Sequence, residues 1–316
     1  MSTCVSFGEI TIGIPEVRLL NEEIARAISK GVGNISTSKK VYNGYKPKRI
    51  AEIMKRQGYT ITDYSEYDTY LDFGKKFKIC LFPYLIDKLN LIKACYFSYN
   101  KPVQDIDVIE NFESNNIEGA CIDTLDETLT ILRNKSVRDK KSSMIIGYSK
   151  AVEYVQNHKD AVIDFEYCKS LNEEIVHYYS DADRIGIRDN TVYVGKVSEV
   201  VFTPCDCSLI EPLLKLLFSN WLDGYDPFIR SSIIHFLFVW IHPFFDGNGR
   251  TIRMLNRELL VRYGLTKFEN IPVSRYIRDM SSGYYKSIRY SEEDYDITHF
   301  ILYMLDVYEK CLTEGV

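Results

Sequence analysis

The sequence predicts a mainly α-helical protein that carries one short β-hairpin and an N-terminal region of uncertain fold. Apolar residues recur at helical spacing through most of the chain from Leu81 to Val307. Residues 191–202 are rich in valine and are interrupted by glycine, which is typical of two short strands. The chain has 316 residues, of which 46% are hydrophobic and 26% charged, so it can bury the core of one large domain or of two smaller ones.

Residues 1–85 form the N-terminal region, for which the sequence predicts little regular structure. Ile10–Ile14 alternates like a short strand, and helices are predicted at Glu22–Lys30 and Ile50–Gln57. The basic residues between positions 39 and 49 are interpreted as a solvated face rather than a binding patch. The region is expected to be a small separate module or an extension packed on the rest.

Residues 86–312 are predicted to form a helical domain. Leucines and isoleucines at helical spacing predict its first helix within Leu81–Phe97. In the next predicted helix, Ile106, Ile109 and Phe112 fall on one face. The predicted helices after the first are Asp105–Gly119, Ile145–Val155, Tyr167–Tyr179, Pro204–Trp221, Ile233–Ile241, a helix from Arg250 onward, and Ile301–Val307.

Composition and charge argue against several classes of protein. The formal net charge of −5 is unlike that of a general nucleic-acid-binding protein, which is usually basic. The apolar run Ile233–Ile241 is far shorter than the roughly 20 residues that cross a bilayer, so no membrane partner is expected. The N-terminus lacks a secretory pattern and the eight cysteines are scattered, which together predict a cytoplasmic protein with reduced thiols.

The segment from His242 to Arg253 concentrates residues that suit phosphate chemistry. Pro243 cannot continue a helix, so the apolar helix before it is expected to end at His242 and to present that side chain. A second helix begins near Arg250. The free amide groups of a helix start behind a glycine-rich loop form an anion site. Arg250 and Arg253 lie one helical turn apart and are expected to face that anion.

Each of these residues also has an ordinary interpretation. A histidine at a helix end is usually a cap or a core group, Asp-Gly-Asn-Gly is usually a turn, and arginines are usually solvated. Only the combination, in this order and spacing, favours a site for a nucleotide polyphosphate. Asp246 adds one carboxylate, which is the sparse protein ligation that magnesium accepts when phosphates and waters complete its octahedron.

The segment 242–253 matches H-x-F-x-D/E-G-N-G-R-x-x-R at every defined position, and on these residues the chain resembles the Fic proteins. The resemblance implies a protein adenylyltransferase that transfers AMP from ATP to a Ser, Thr or Tyr hydroxyl and releases pyrophosphate. It implies His242 as the catalytic general base, Phe244 as a core anchor, Asp246 as the magnesium ligand, and a family core at about residues 165–302. The implied nucleotide-binding residues are Asp246, Gly247, Asn248, Gly249, Arg250 and Arg253.

A second motif, Ser114-x-x-x-Glu118-Gly119, precedes the first. By spacing alone it is an ordinary helix end, with a solvent-facing glutamate and Gly119 as the stop. Beside the first motif it is similar to the inhibitory helix of Fic proteins, here at about residues 105–119. The resemblance implies that Glu118 pairs with Arg253 and so removes the cation that holds the γ-phosphate. The resting enzyme is therefore expected to be mostly inhibited.

The resemblance also implies partners. The predicted hairpin corresponds to the flap of Fic proteins, whose edge pairs with a segment of the target protein as an added strand. Self-modification and a homodimer are implied by likeness alone. Ser291–Asp294 departs from the family, because the asparagine that often follows the tyrosine pair near the adenine is missing. Further nucleotide contacts are implied for the hairpin residues Val192, Tyr193, Val194 and Gly195 and for that tyrosine pair, Tyr284 and Tyr285.

Three alternatives to AMP transfer stay open on the sequence. In the first, Glu118 and the metal orient a water that removes AMP from a modified protein. In the second, the donor is another phosphodiester, such as UTP or a CDP-alcohol. The third is a non-catalytic nucleotide sensor, which the intact signature disfavours. A panel of labelled nucleotides and a substitution of Glu118 distinguish them.

Overall fold

The computed structural model describes residues 67–101, 103–181, 184–190 and 204–314, together with the backbone of five short strands outside these ranges. The strand predicted at Ile10–Ile14 and the helices predicted at 22–30 and 50–57 lie outside the described residues. The same holds for Val192 and Tyr193, which were predicted to contact the nucleotide.

The described strands form three small antiparallel sheets. The β6–β7 pair confirms the predicted hairpin, with Gly195 opposite Val200 and an irregular register between Val194 and Gly195. The first sheet has the order β2-β1-β3, and the other two are hairpins. The strands are β1 (Thr3–Val5), β2 (Lys40–Val41), β3 (Ile61–Asp63), β4 (Asp68–Asp72), β5 (Lys76–Cys80), β6 (Val194–Lys196) and β7 (Glu199–Phe202).

Helices make up most of the described residues, which confirms the predicted mainly α-helical class. They are α1 (Pro83–Ser98), α2 (Ile106–Ile117), α3 (Leu125–Asn134), α4 (Lys140–Asn157), α5 (Phe165–Val176), α6 (Ile210–Leu217), α7 (Pro227–Ile241), α8 (Asn248–Arg262), α9 (Val273–Asp279), α10 (Ser281–Glu293) and α11 (Thr298–Thr313). Two compact units contain them. The first comprises Met1–Phe97 with Ser282–Glu309, and the second comprises Ser98–Ser281 with Lys310–Val316.

The first unit includes the β4–β5 hairpin, which was not predicted from the sequence. Gly74 forms its turn with a φ of 66°, and Phe77 on β5 is fully buried. The Lys78 amide donates to the Tyr295 carbonyl at 2.7 Å, and Lys88 of α1 pairs with Asp306 of α11 at 2.7 Å. These contacts explain why residues 282–309 group with the N-terminal elements. The division predicted at residue 85 for the family domain stays a prediction.

The second unit is built around α7. Asp226 caps this helix by accepting from the Phe228 amide at 3.0 Å, and Pro227 occupies the first helical position, where its missing amide costs nothing. All side chains from Ile233 to Phe238 are buried, as expected for a helix that is apolar on most of its circumference. Helices α4 and α5 pack closely at Gly147, where a Cβ atom would collide with the Ile175 carbonyl.

One predicted helix is wrong in its extent. The segment predicted as a single helix, Pro204–Trp221, consists of a 3₁₀ turn at Cys207–Leu209, the short helix α6 and a second 3₁₀ turn at Asn220–Leu222. Pro212 lacks the amide that would bond a carbonyl one turn earlier, so the α-helix cannot extend further toward the N-terminus. At the other end, the Ser219 hydroxyl bonds the Leu216 carbonyl at 2.7 Å and helps to close the helix.

Candidate active site

His242 stands at the end of α7. Its amide donates to the Phe238 carbonyl at 3.0 Å, and its φ of 50° places it in the left-handed region, so the chain turns sharply at this residue. Pro243 follows and prevents the helix from continuing. The sequence predicted this helix end, and the structure has it at the predicted residue. The imidazole is half-buried at the start of the loop that leads to α8.

The loop from Pro243 to Gly247 is held from two sides. The Asn248 side chain accepts from the Phe244 amide at 3.0 Å and donates to the Phe244 carbonyl at 2.8 Å. Asn172 of α5 donates to the Asp246 carbonyl at 2.9 Å. Phe244 itself is fully buried, with its ring 6.0 Å from that of Phe238. Asn248 therefore shapes the loop, and its predicted contact with an α-phosphate stays a prediction.

The two glycines of the motif are required for different reasons. Gly247 has a φ of 79°, and a Cβ atom there would lie 2.7 Å from the Asn172 amide nitrogen. Gly249 has an ordinary helical backbone, but a Cβ atom there would collide with the Glu118 carboxylate and lie 2.9 Å from Arg253 Nη1. Gly247 caps α8 without a side chain, so the first amides of α8 keep no side-chain cap. A carboxylate from α2 thus lies beside the helix start where an anion was predicted.

Arg253 contacts the second motif, Ser114-x-x-x-Glu118, through Nε and Nη2. Its Nε donates to the Ser114 hydroxyl at 2.9 Å, and its Nη2 donates to the Ser114 carbonyl at 2.9 Å and to Glu118 Oε1 at 2.7 Å. The Arg253 side chain is 1% exposed, whereas the Glu118 side chain is 33% exposed. The ion pair expected between Glu118 and Arg253 is therefore present. Gly119 follows the pair with a φ of 77°, as a helix-ending glycine does.

Arg250 differs from Arg253 because part of its guanidinium has no partner. Its Nη2 donates to the Tyr179 hydroxyl and to Asp246 Oδ1, the latter at 3.1 Å, and its guanidinium lies 5.0 Å from the centre of the Tyr179 ring. Within the described residues, Arg250 Nε and Nη1 are buried without a hydrogen-bond partner. Buried unpaired donors are costly, so the arrangement suits an anionic ligand.

A cavity of about 350 Å³ opens beside these groups. Asp246, Arg250 and Glu118 line it together with Lys140 at the start of α4. The cavity carries both cations and carboxylates, as a site for phosphates with a bound metal does. No group of three or more His, Cys, Asp or Glu side chains within the described residues could hold a metal by itself. The single Asp246 carboxylate, which is 47% exposed, fits a magnesium ion whose other ligands are phosphates and waters.

Burial and nearby charges together set the protonation of His242 and Glu118. Burial lowers the pKa of His242 to about 4, although the Val239 backbone and the Glu118 and Asp246 carboxylates act in the opposite direction. The imidazole is therefore neutral near pH 7. Burial raises the pKa of Glu118, but the charges of Arg253 and Arg250 and the hydrogen bond from Arg253 outweigh it and hold that pKa below its usual range. Glu118 is consequently an anion near pH 7.

Helix α2 carries Glu118 and buries its polar side. Ile106, Ile109 and Phe112 lie on this helix, as the spacing predicted, and are half-buried. The buried residues of α2 are Glu110, Asn111, Glu113, Ser114 and Asn115. Their partners lie on other helices: Glu113 pairs with Arg278 at 2.7 Å, and Glu110 accepts from the Ser274 amide at 2.9 Å. Helix α2 therefore packs its polar residues against an arginine and against the start of another helix.

The remaining predicted site residues are not brought to this site by described contacts. Val194 and Gly195 lie on β6, for which only the backbone is described. Tyr284 and Tyr285 lie on α10 in the first unit. Tyr284 is buried against Tyr303, with ring centroids 5.8 Å apart, whereas Tyr285 is 55% exposed. Their contacts with a nucleotide stay predictions.

Sequence reasoning missed three residues that hold the site together. Asn172 and Tyr179 come from α5 and the turn after it, and Arg188 comes from the segment before β6. None belongs to a motif with fixed spacing. Asn172 and Arg188 are polar residues that the fold buries, and an apolar pattern gives no signal for such positions.

Comparisons with known proteins bear on the family of this chain. Residues 162–260 match the model of the Fic/DOC family. The chain is 30% identical over 212 residues to the Protein adenylyltransferase Fic of Drosophila melanogaster, which covers 64% of this chain and 40% of that protein. It is 29% identical over 208 residues to the Drosophila erecta protein of the same name, with the same coverage of each. The chain thus spans about two fifths of the length of these curated relatives.

Solved structures show the same fold. A Fic family protein from Desulfovibrio desulfuricans G20 has a TM-score of 0.64 and 21% identity, and the match covers 74% of each chain. Fic-1 from C. elegans has a TM-score of 0.60 and 17% identity, covering 95% of this chain and 84% of that one. These structures show the Fic fold, and the match of residues 162–260 to the Fic/DOC family confirms the resemblance carried by the signature. Among the described residues, no helix combines the length and apolarity that a bilayer crossing demands.

Proposed function

We propose that this protein is an autoinhibited protein adenylyltransferase that transfers AMP from ATP to a Ser, Thr or Tyr hydroxyl of a protein. Two observations support the proposal. Curated relatives that share the family domain are named protein adenylyltransferases. The site combines a neutral imidazole on His242, an uncapped helix start, and a buried guanidinium on Arg250 with unpaired donors.

The reaction needs one proton acceptor and one anion site. Neutral His242 takes the proton of the attacking hydroxyl while its oxygen bonds to the α-phosphorus. The bond from that phosphorus to the bridging oxygen of the β-phosphate breaks, and pyrophosphate leaves. The first amides of α8 stabilise the charge on the α-phosphate, and Arg250 and Arg253 hold the remaining phosphates. Magnesium, bound by Asp246, the phosphates and waters, would neutralise charge on the phosphate chain.

The engagement of Arg253 is the observation that carries the autoinhibition. The described hydrogen bonds of its Nε and Nη2 end on Ser114 or Glu118, so these two nitrogens cannot hold a γ-phosphate unless those contacts are displaced. The Glu118 carboxylate also lies against Gly249, next to the start of α8. A charge-assisted contact of about 1.5–3 kcal/mol shifts a two-state equilibrium by roughly one to two decades, which is enough to keep the site mostly inhibited.

The proposal is tested with labelled ATP, magnesium and a cell lysate, followed by mass spectrometry. Glu118→Ala is expected to raise AMP transfer by about 10-fold to 100-fold over the unsubstituted chain, because Arg253 becomes free. Glu118→Ala combined with His242→Ala is expected to give no label. The matched control is Glu127→Ala, which removes a carboxylate that pairs with Lys141 at 3.0 Å and does not touch either arginine.

The outcome against the proposal is ATP binding by Glu118→Ala without modification of any protein, which identifies a nucleotide sensor instead. Removal of AMP is the second candidate, since the Glu118 carboxylate is one third exposed beside the site and can orient a water. The same variant separates the two, because the loss of Glu118 raises transfer but abolishes removal. A panel of labelled UTP, GTP and CTP in the same assay tests for another donor.

The protein partner is proposed to dock on the β6–β7 hairpin. The two strands form a sheet of only two members, so each has an outer edge that can add a third strand. Main-chain bonds of that kind set register and make weak demands on the side chains of the partner. In self-modification, the hydroxyl that receives AMP belongs to this chain itself. Labelling of the chain in an assay without lysate would reveal it.

A further inference from the structure

Arg188 is a buried arginine outside both motifs. It lies in the segment between α5 and β6 and is 2% exposed. Within the described residues, no carboxylate lies within ion-pair distance of it. A buried charge is costly unless it is paired or hydrogen-bonded. The partners of Arg188 therefore indicate what this residue does.

The first set of partners is the end of α7. Arg188 Nε donates to the His242 carbonyl at 2.7 Å, and Nη2 donates to the Ile241 carbonyl at 3.2 Å. The Arg188 amide donates to the Pro243 carbonyl at 3.0 Å. The last carbonyls of a helix have no partner within the helix and carry its negative dipole end, so a cation is favoured there. One residue thus binds three consecutive carbonyls around the left-handed turn at His242.

The second set of partners brackets the β6–β7 hairpin. Arg188 Nη1 donates to the Asn190 carbonyl at 2.9 Å, and Nη2 donates to the Cys205 carbonyl at 2.5 Å. Asn190 precedes β6 and Cys205 follows β7, so both ends of the hairpin meet at one guanidinium. An antiparallel bridge between Ile187 and Phe244 joins the same segment to the loop after His242.

We propose that Arg188 is a positioning residue that holds His242 and the base of the β6–β7 hairpin at a fixed distance from each other. The inference rests on the proposed function, in which His242 accepts the proton and the hairpin binds the protein to be modified. A planar guanidinium can donate to four carbonyls in fixed directions. A lysine ammonium has three donors on a flexible stem and cannot span the same set.

The separation of His242 and the hairpin matters because AMP transfer depends on where the attacking hydroxyl lies. A strand docked on the hairpin brings its hydroxyl to the imidazole only if the hairpin and His242 keep a fixed separation. Misplacement of reacting groups by about 1 Å can lower a rate on the order of 100-fold. The phosphate-binding groups make no described contact with Arg188, so binding of ATP is expected to be insensitive to it.

The test compares Arg188→Lys and Arg188→Met in the Glu118→Ala chain. The matched control is Arg262→Lys, because Arg262 in the last turn of α8 also donates to loop carbonyls, those of Ala161 and His158, the latter at 3.1 Å, but lies outside the site. Three quantities are measured: pyrophosphate release from ATP, which reports transfer to any acceptor, the Kd for a fluorescent ATP analogue, and hydrogen exchange of the backbone amides.

We expect Arg188→Lys to lower the maximal rate of pyrophosphate release at least about 10-fold while the Kd for the analogue changes less than about 2-fold. Hydrogen exchange is expected to accelerate in residues 184–190 and 241–244. Arg262→Lys should leave the rate and these two segments unchanged. A rate in Arg188→Lys equal to that of its parent overturns the inference, as does an equal loss in rate and in affinity for the analogue.

Failure of the proposed function gives a different result. If the Glu118→Ala parent itself releases no pyrophosphate, the proposed function fails, and the positioning of His242 is then judged from hydrogen exchange alone. If both Arg188 variants unfold, the inference is tested by hydrogen exchange on the unsubstituted chain. Its Arg188 amide is expected to exchange slowly because it bonds the Pro243 carbonyl, and exchange at the rate of an unstructured peptide overturns the inference.

Discussion

Gly249 shows at the scale of single residues how the two motifs meet. In the sequence it is one of two glycines in a flexible loop that was expected to bind phosphate. In the structure it lies in the first turn of α8 with an ordinary backbone, and the space that a Cβ atom would need is taken by Glu118 and Arg253. Its small size is therefore required by the contact between Glu118 and Arg253.

The effect of Gly249→Ala on the free energy of unfolding is expected to depend on whether the Glu118 carboxylate is present. In a helix, alanine is favoured over glycine by up to about 1 kcal/mol, but overpacking costs roughly 1–3 kcal/mol. We expect Gly249→Ala to lower the free energy of unfolding in the unsubstituted chain and to leave it unchanged or raised in Glu118→Ala, as measured by urea denaturation.

The control for this cycle is Gly224→Ala, where a Cβ atom meets nothing within 4 Å. It should change the free energy of unfolding by less than about 0.5 kcal/mol in both backgrounds. Equal effects of Gly249→Ala with and without the Glu118 carboxylate would show that the two residues do not touch in solution.

Helix α2 is the element through which the proposed autoinhibition acts. It is attached through polar contacts on successive turns: Asp107 to Arg257 at 2.7 Å, Glu113 to Arg278 at 2.7 Å, and Glu118 to Arg253 at 2.7 Å. Such contacts can be exchanged for water more readily than an apolar face can. Under the proposed autoinhibition, these polar contacts hold α2 in place and can be exchanged for contacts with water when Arg253 binds a phosphate.

Weakening α2 away from the site is expected to relieve inhibition in part. Glu113→Gln removes the charge that pairs with Arg278, and because the glutamate is 11% exposed and the arginine 40% exposed, the contact is expected to contribute about 1 kcal/mol. AMP transfer should rise roughly 5-fold, less than in Glu118→Ala, with faster hydrogen exchange in α2.

Glu153→Gln is the control at this scale, because Glu153 pairs with Lys150 at 2.6 Å on the solvent side of α4. It should alter neither AMP transfer nor exchange in α2. If Glu113→Gln leaves both unchanged as well, the contacts along α2 do not act together with Glu118, and the inhibition is local to the Glu118–Arg253 pair.

At the scale of the whole molecule, occupation of the site should appear in the stability of the second unit, which contains both motifs. A ligand at about 100 times its Kd stabilises the folded state by about 2.7 kcal/mol. ATP is expected to raise the unfolding midpoint more in Glu118→Ala than in the unsubstituted chain, because the free Arg253 adds a phosphate contact. Calorimetry measures both midpoints.

Magnesium is expected to enlarge this effect through Asp246. Removal of the metal with EDTA should reduce the ATP-dependent shift in Glu118→Ala, and Asp246→Asn should remove the part of the shift that depends on magnesium. Asp223→Asn, which breaks an exposed pair with Arg230 at 2.6 Å, serves as the control. A shift that is the same with and without the metal would exclude Asp246 as its ligand.

The sequence by itself determined the helix end at His242, the loop before α8, the hairpin, and the family. These follow from local rules: proline ends a helix, glycine permits a left-handed turn, and residues one turn apart share a face. These rules depend only on residues that are neighbours along the chain, so they hold whatever the rest of the fold is. It also placed Glu118 and Arg253 on two helices that a family likeness could connect.

Only the tertiary structure decided which polar side chains are buried and what they bind. Arg188, Asn172 and the polar side of α2 are buried, because carbonyls at a helix end, an opposing guanidinium and a helix start need polar partners. Such partners come from segments that are distant along the chain. No period or spacing encodes them, since a hydrogen bond depends on where two segments meet in space.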